Sequence, residues 1–202
     1  MTRKTRLHII RHGETSTAGT AIYQGHDNAG LSDRGKQMYL QLTKRLAQTG
    51  LTACYTSDLY RCLWGARLIG KHIGLEPRVM PCLRELNFGI WDGKAVDEVR
   101  QIYPDSWQAW SADFVNYRIP GGENLLDVRL RVLPVIAEMV RQHYDEEVLV
   151  VAHGGVNRII LLDAMNAPLS SFYNINQSYC CHNIIDYYED GNAVVQLLNE
   201  SL

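Results

Sequence analysis

Two short apolar runs constrain this chain more than any other feature. Leu7-His8-Ile9-Ile10 and Val148-Leu149-Val150-Val151-Ala152 are rich in β-branched residues, and each predicts a buried strand. Each run breaks off in a polar His-Gly step, Arg11-His12-Gly13 after the first and His153-Gly154-Gly155 after the second. Parallel strands of one sheet share a carboxyl edge, and ligands bind α/β sheets at that edge. Two histidines carried there on neighbouring strands can face each other.

The rest of the chain alternates helical and strand patterns. This predicts an α/β fold, a three-layer sandwich with a mostly parallel central sheet and helices on both faces. Ser32 reads as an N-cap with Leu31 as a staple. Met38, Leu42 and Leu46 recur at helical spacing, and Gly50 reads as the stop. Ala53–Thr56 is a short strand. Ser57-Asp58 looks like the cap of a second helix through Ile73, followed by a strand over Arg78–Met80. From about 93 to 120 the pattern changes to short helices with many aromatics, which predicts a small helical cap over the sheet edge. A long helix is expected from about Leu125 to Gln142, kinked at Pro134. Another follows His153 to about Met165, and a hairpin over Ile184–Tyr188 and Val194–Leu198 closes the sheet. All 202 residues are expected to form a single domain.

Composition excludes several function classes. Lys and Arg number 20 against 22 Asp and Glu, so neither a nucleic-acid nor a membrane-surface partner is expected. No apolar run suffices to span a bilayer, and the basic start Met1–Arg6 leads into a stretch broken by His8, unlike a signal peptide. Cys54, Cys62, Cys82, Cys180 and Cys181 are odd in number and contain no Cys-x-x-Cys pair, which predicts reduced thiols and a cytoplasmic location. Cys180-Cys181-His182 offers a metal site with too few ligands; buried small side chains are the better reading.

The second His-Gly step also opens a helix, whose free N–H groups and dipole favour an anion. Arg61 sits near the start of the second helix, close to the same edge. Arg11, Arg61 and that helix N-terminus would converge on one small space. Two guanidiniums, two imidazoles and free N–H groups suit a compact oxyanion, and phosphate fits. Neither a P-loop nor a dinucleotide-binding glycine motif is present.

An ordered set of motifs carries a resemblance. They are Arg11-His12-Gly13-Glu14-Thr15, Gln24-Gly25, Leu31-Ser32-Asp33-Arg34-Gly35, Ser57-Asp58-Leu59-Tyr60-Arg61 and Arg84-Glu85-Leu86-Asn87-Phe88-Gly89-Ile90-Trp91-Asp92-Gly93. Pro120-Gly121-Gly122-Glu123 and Ala152-His153-Gly154-Gly155 complete it. Together they resemble the histidine phosphatase superfamily, also called phosphoglycerate mutase-like, over nearly the whole chain. The resemblance implies that His12 is the nucleophile that forms a phosphohistidine. It implies that Arg11, Arg61 and His153 hold the phosphoryl oxygens, with help from Gly154, and that Glu85 donates and then takes the proton. Gln24 and Gly25 match a substrate-contacting turn. No cofactor and no metal are implied, because arginines and histidines already supply positive charge.

Three positions depart from the family pattern. Ala18 stands where an Asn is common, with Asn28 as a candidate replacement; Gly65 stands for Thr and Asn124 for Ser. The short cap and the Phe-Gly-x-Trp-x-Gly run favour hydrolysis. The chain looks most similar to the α-ribazole-5′-phosphate phosphatases of cobalamin biosynthesis, with Trp107, Trp110, Phe114 and Tyr117 as candidate stacking partners for the base. A broad small-molecule phosphatase, a phosphoglycerate mutase and a non-catalytic phospholigand-binding domain are the alternatives. A homodimer stays open.

Overall fold

A computed structural model of the chain describes residues 2–201. Six strands form one sheet: β1 Lys4–Arg11, β2 Leu51–Thr56, β3 Arg78–Val79, β4 Glu147–Ala152, β5 His182–Tyr188 and β6 Ala193–Glu200, in spatial order β3-β2-β4-β1-β5-β6. β3, β2, β4 and β1 run parallel, and the terminal hairpin adds β5 and β6 antiparallel. The expected α/β sandwich is therefore observed, with its parallel part at the centre.

Period-two alternation distributes the core. Leu7, Ile9, Val148 and Val150 point to one face, where they meet α5 Leu125–Gln142 and α6 Gly154–Ala164 through Val128, Val132, Ile136 and Ile159. Ile10, Leu149 and Val151 point to the other face. They meet α1 Asp33–Leu46 and α2 Tyr60–Ile73 through Leu42, Leu46, Cys62, Ala66 and Ile69. β1 and β4 are thus covered on both sides, as an unbroken apolar run requires. The cap consists of α3 Val96–Ile102 and α4 Pro104–Ala112, packed around buried Trp91, Val99 and Ile119.

Several local expectations need correction. Ser32 does cap α1, accepting from Gly35 N, but the helix ends at Leu46 rather than at Gly50. Tyr39, not Met38, fills the first buried turn of that helix. Ser57-Asp58 does not cap α2, because the Ser57 hydroxyl bonds to His153 and the Asp58 carboxylate pairs with Arg84. The α2 N-terminus is met instead by Asn28, whose Oδ1 accepts from Tyr60 N at 2.7 Å. α5 runs over its expected range with Pro134 inside it, and Asn124 caps it with Asp127 in a reciprocal box, so Asn serves there as a cap in place of Ser. The rings of His182 and His8 stack at 5.1 Å with a 3.0 Å nitrogen contact, so His182 is committed to the sheet.

The departure at Gly65 has a steric cause. Tyr39 is fully buried and donates its hydroxyl to the Arg61 carbonyl at 2.9 Å. A Cβ on residue 65 would lie 1.9 Å from the Tyr39 ring. The ring and the glycine are one packing solution, and it fixes the backbone that carries Arg61. Gly65→Ala is expected to cost about 1–3 kcal/mol by overpacking, read as a lowered midpoint of thermal unfolding. The same change in a Tyr39→Ala background should cost less; equal losses in both backgrounds would rule out the ring as the obstacle.

Candidate active site

Register builds the site. Arg11 pairs with Ala152 across β1 and β4, so the next residue of each strand, His12 and His153, leaves the sheet at the same level. His12 N–H donates to the Ala152 carbonyl at 3.0 Å, and the two rings meet edge to face with centroids 5.2 Å apart. Both side chains are buried.

Partners set the tautomers. His12 Nδ1 lies 2.9 Å from the Gly13 carbonyl, which can only accept, so Nδ1 carries the proton and Nε2 keeps its lone pair. Arg61 Nε can only donate, so His153 Nδ1 accepts from it at 3.3 Å, and His153 Nε2 donates to Ser57 Oγ at 2.9 Å. Burial lowers the pKa of His12 well below that of free imidazole, and Arg11 and Arg61 add to the shift. Burial does the same for His153, followed by Arg61, His12 and Arg11. Both rings are neutral at pH 7.

The arginines are held differently. Arg61 is completely buried, and its terminal nitrogens donate to the carbonyls of Asp27 and Gly25, both at 2.7 Å. One N–H on each terminal nitrogen remains for an anion. The 25–27 turn that holds it is itself pinned by Asp92, which accepts from the backbone N–H groups of Gly25, His26 and Asp27. Arg11 lies 4.2 Å from the Tyr179 ring centroid and donates from NH1 to the Gln177 carbonyl. Its Nε is buried without a partner. A buried charged donor left unmet is costly, and an incoming oxyanion would relieve it.

Glu85 comes from the loop after β3. Its Oε2 accepts from Gly155 N at 3.0 Å and its Oε1 from Leu86 N at 2.9 Å. A Cβ on residue 155 would lie 2.3 Å from Oε1, so glycine is what lets the carboxylate approach α6. Arg131 fastens the loop from behind, donating to the carbonyls of Glu85 and Cys82 and to both oxygens of Glu123. Burial raises the Glu123 pKa, but the Arg131 hydrogen bond and ion pair outweigh it and the net shift is downward.

Arg11, His12 and Glu85 open on a cavity of about 200 Å³ that Gln24 and Tyr179 also line, with Thr17, Tyr23 and Phe88 among its walls. Gln24 is on the wall and donates to Thr17 Oγ1. Gly25 presents no free backbone group, since its N–H serves Asp92 and its carbonyl serves Arg61. Gly154 borders the unpaired Arg11 Nε, which lies 3.3 Å from where a Cβ would stand. Asn28 turns its Oδ1 to Tyr60 N at the start of α2. Trp107, Trp110 and Tyr117 pack within the cap cluster, and Phe114 packs on Tyr173. Sequence reasoning missed Tyr179, Tyr23 and Phe88 on the wall, and Ser57 as the partner of His153. Only the Phe88 motif was visible as a signal.

Among the described residues, no group of three or more His, Cys, Asp or Glu could hold a metal ion, and no helix is long and apolar enough to cross a membrane.

Titration of the ring resonances by NMR is expected to show His12 and His153 still neutral as the pH falls through the range in which free imidazole (pKa about 6.5) protonates. An inflection for His12 near pH 6.5 would show that burial and the arginines do not hold the ring neutral.

Comparison with known proteins agrees with this geometry. The family model described as "Histidine phosphatase superfamily (branch 1)" matches residues 7–200. Phosphoserine phosphatase 1 of Hydrogenobacter thermophilus is 28% identical over 192 residues, 95% of this chain and 91% of the relative. The adenosylcobalamin/alpha-ribazole phosphatase of Salmonella typhimurium is 26% identical over 194 residues, 96% of each chain. The crystal structure of the alpha-ribazole phosphatase from Shigella flexneri superposes with a TM-score of 0.89 at 28% identity, covering 96% of each chain. With nearly its whole length matched and two histidines meeting at one sheet edge, the chain belongs to the histidine phosphatase superfamily, branch 1, as a histidine-dependent phosphatase.

Proposed function

We propose that this chain hydrolyses small-molecule phosphomonoesters through a phosphohistidine on His12. The observation that carries the reading is the state of His12: a neutral ring with Nδ1–H on Gly13, sharing one cavity with Arg11 and Glu85. The Nε2 lone pair attacks phosphorus while the P–O ester bond breaks. Glu85 gives its proton to the leaving oxygen. Water then attacks the phosphohistidine, Glu85 takes a proton from it, the P–N bond breaks and inorganic phosphate departs. Arg11 Nε and the two spare N–H groups of Arg61 meet the three phosphoryl oxygens, whose charge grows in the transition state. In this role His153 orients Arg61 and walls His12. It could donate to a phosphoryl oxygen only by giving up Ser57.

Two leaving groups have support. α-Ribazole-5′-phosphate is favoured by the alpha-ribazole phosphatases among the similar proteins, and its base would lie against Tyr23 and Phe88 rather than against the cap aromatics. A small carboxylated ester is favoured by an unpaired arginine beside Glu85, taken up below.

The acid role separates substrates by leaving group. Glu85→Gln should lower kcat/KM on an alkyl phosphate by about 10²–10⁴-fold. On a nitrophenyl phosphate, whose leaving oxygen needs no proton, the loss should be smaller. His12→Ala should abolish turnover of both. Retained turnover in His12→Ala, or equal losses for the two esters in Glu85→Gln, would overturn the respective role.

A further inference from the structure

Arg158 is a partly buried arginine near the site that the mechanism does not use. It stands on α6 three residues after Gly155, hence on the same helix face. Side chains on a helix lean toward its N-terminus, which brings Arg158 back toward the carboxylate that Gly155 N–H holds. Its Nε donates to the Ile175 carbonyl at 2.7 Å, and its guanidinium carbon lies 5.2 Å from the Phe172 ring centroid. That carbonyl and that ring hold the group in place. Burial lowers its pKa, and Glu85 acts in the opposite direction.

Other partly or fully buried arginines have partners for their forks. Arg131 holds Glu123, Arg6 holds Asp186, and Arg61 holds two carbonyls. Among the described residues, the terminal nitrogens of Arg158 have no hydrogen-bond partner and no carboxylate within 4.0 Å. A half-buried guanidinium whose Nε and face are already held presents its free fork in a fixed position, and its planar geometry matches a carboxylate in bidentate fashion. Arg11 and Arg61 are already committed to the phosphoryl group in the proposed mechanism. An anion at Arg158 would therefore belong to the leaving group, next to the oxygen that Glu85 protonates.

We infer that Arg158 is a specificity subsite for an anionic oxygen group on the leaving alcohol, so that the preferred substrates are small carboxylated phosphomonoesters. This rests on the hydrolase reading above. It predicts that a neutral leaving group such as α-ribazole is the poorer substrate.

The test compares 3-phosphoglycerate and O-phosphoserine with glycerol phosphate, a neutral ester of similar size, and with nitrophenyl phosphate. In the wild type, kcat/KM should favour the carboxylated esters over glycerol phosphate by at least about tenfold, the scale of one charge-assisted hydrogen bond. Arg158→Gln should raise KM for the carboxylated esters at least tenfold more than for glycerol phosphate, with kcat changing little. Arg158→Lys, a charge without the fork, should fall between. No wild-type preference, or the same factor lost on all esters in Arg158→Gln, would overturn the inference while His12-dependent turnover of nitrophenyl phosphate upholds the hydrolase. Absence of turnover on every ester would instead overturn the hydrolase reading beneath it. If Arg158→Gln fails to fold, the wild-type preference and Arg158→Lys decide.

Discussion

Everything in the site depends on the pairing of β1 with β4. The two strands lie side by side at the centre of the sheet, covered on both faces, with Arg11 level with Ala152. A slip of one residue would turn every side chain to the opposite face and put His8 and Ile10 where Leu7 and Ile9 now pack. The hydrophobic pattern forbids that, so the register is held by the whole core rather than by any polar contact. The approach of His12 to His153 is therefore a consequence of burying apolar side chains. The nucleophile needs no flexible loop to position it.

The remaining groups come from the first turn of α2 and from a loop, and each is tied down through a carboxylate. Asp92 gathers three backbone N–H groups of the 25–27 turn, the turn holds Arg61, and Arg61 fixes the tautomer of His153. On the other side Glu123 grips Arg131, which supports the carbonyl of Glu85, and Gly155 N–H takes the carboxylate. This gives Asp92 and Glu123, far from the reacting atoms, a part in building the site. Asp92 and Glu123 act through backbone they hold in place. Their carboxylates are spent on N–H groups and arginine, so they do not compete for an incoming anion.

The fold was legible because it rests on periodicity. The two apolar runs, the capped helices and the closing hairpin all lie where alternation and turn chemistry put them. Of the site, the strand-borne groups Arg11, His12 and His153 were readable for the same reason, since a strand end has a known edge. The loop-borne groups were readable only through a resemblance, because nothing local says where Glu85 or Gln24 will point. Local reasoning failed where a tertiary partner outbid it. Ser57 and Asp58 have ideal capping chemistry, yet a histidine and an arginine from distant segments claim them. The cap aromatics have the right composition for stacking on a ligand, but they face each other to build a core for helices too short to stand alone. Arg158 gave no signal, because an arginine in a helix is ordinarily solvated. What marks it is the want of a partner, and that is visible only in three dimensions.

Electrostatics links these parts to the choice of nucleophile. Arg11 lines the cavity beside His12, Arg61 acts on the same ring, and Glu85 is the carboxylate on the cavity wall. Burial disfavours a charged His12, and the arginines that await the phosphoryl group add to the effect, so the ring stays unprotonated. One arrangement thus does two things that would otherwise need separate devices: it draws in an anion and it maintains the lone pair that attacks it. Once phosphorus is bonded to Nε2 the ring gains positive character, but the phosphoryl oxygens then lie against the arginines and compensate it. The cationic setting that disfavours a protonated imidazole therefore tolerates a phosphorylated one. It is this difference between a proton and a phosphoryl group that lets a buried histidine serve as the acceptor.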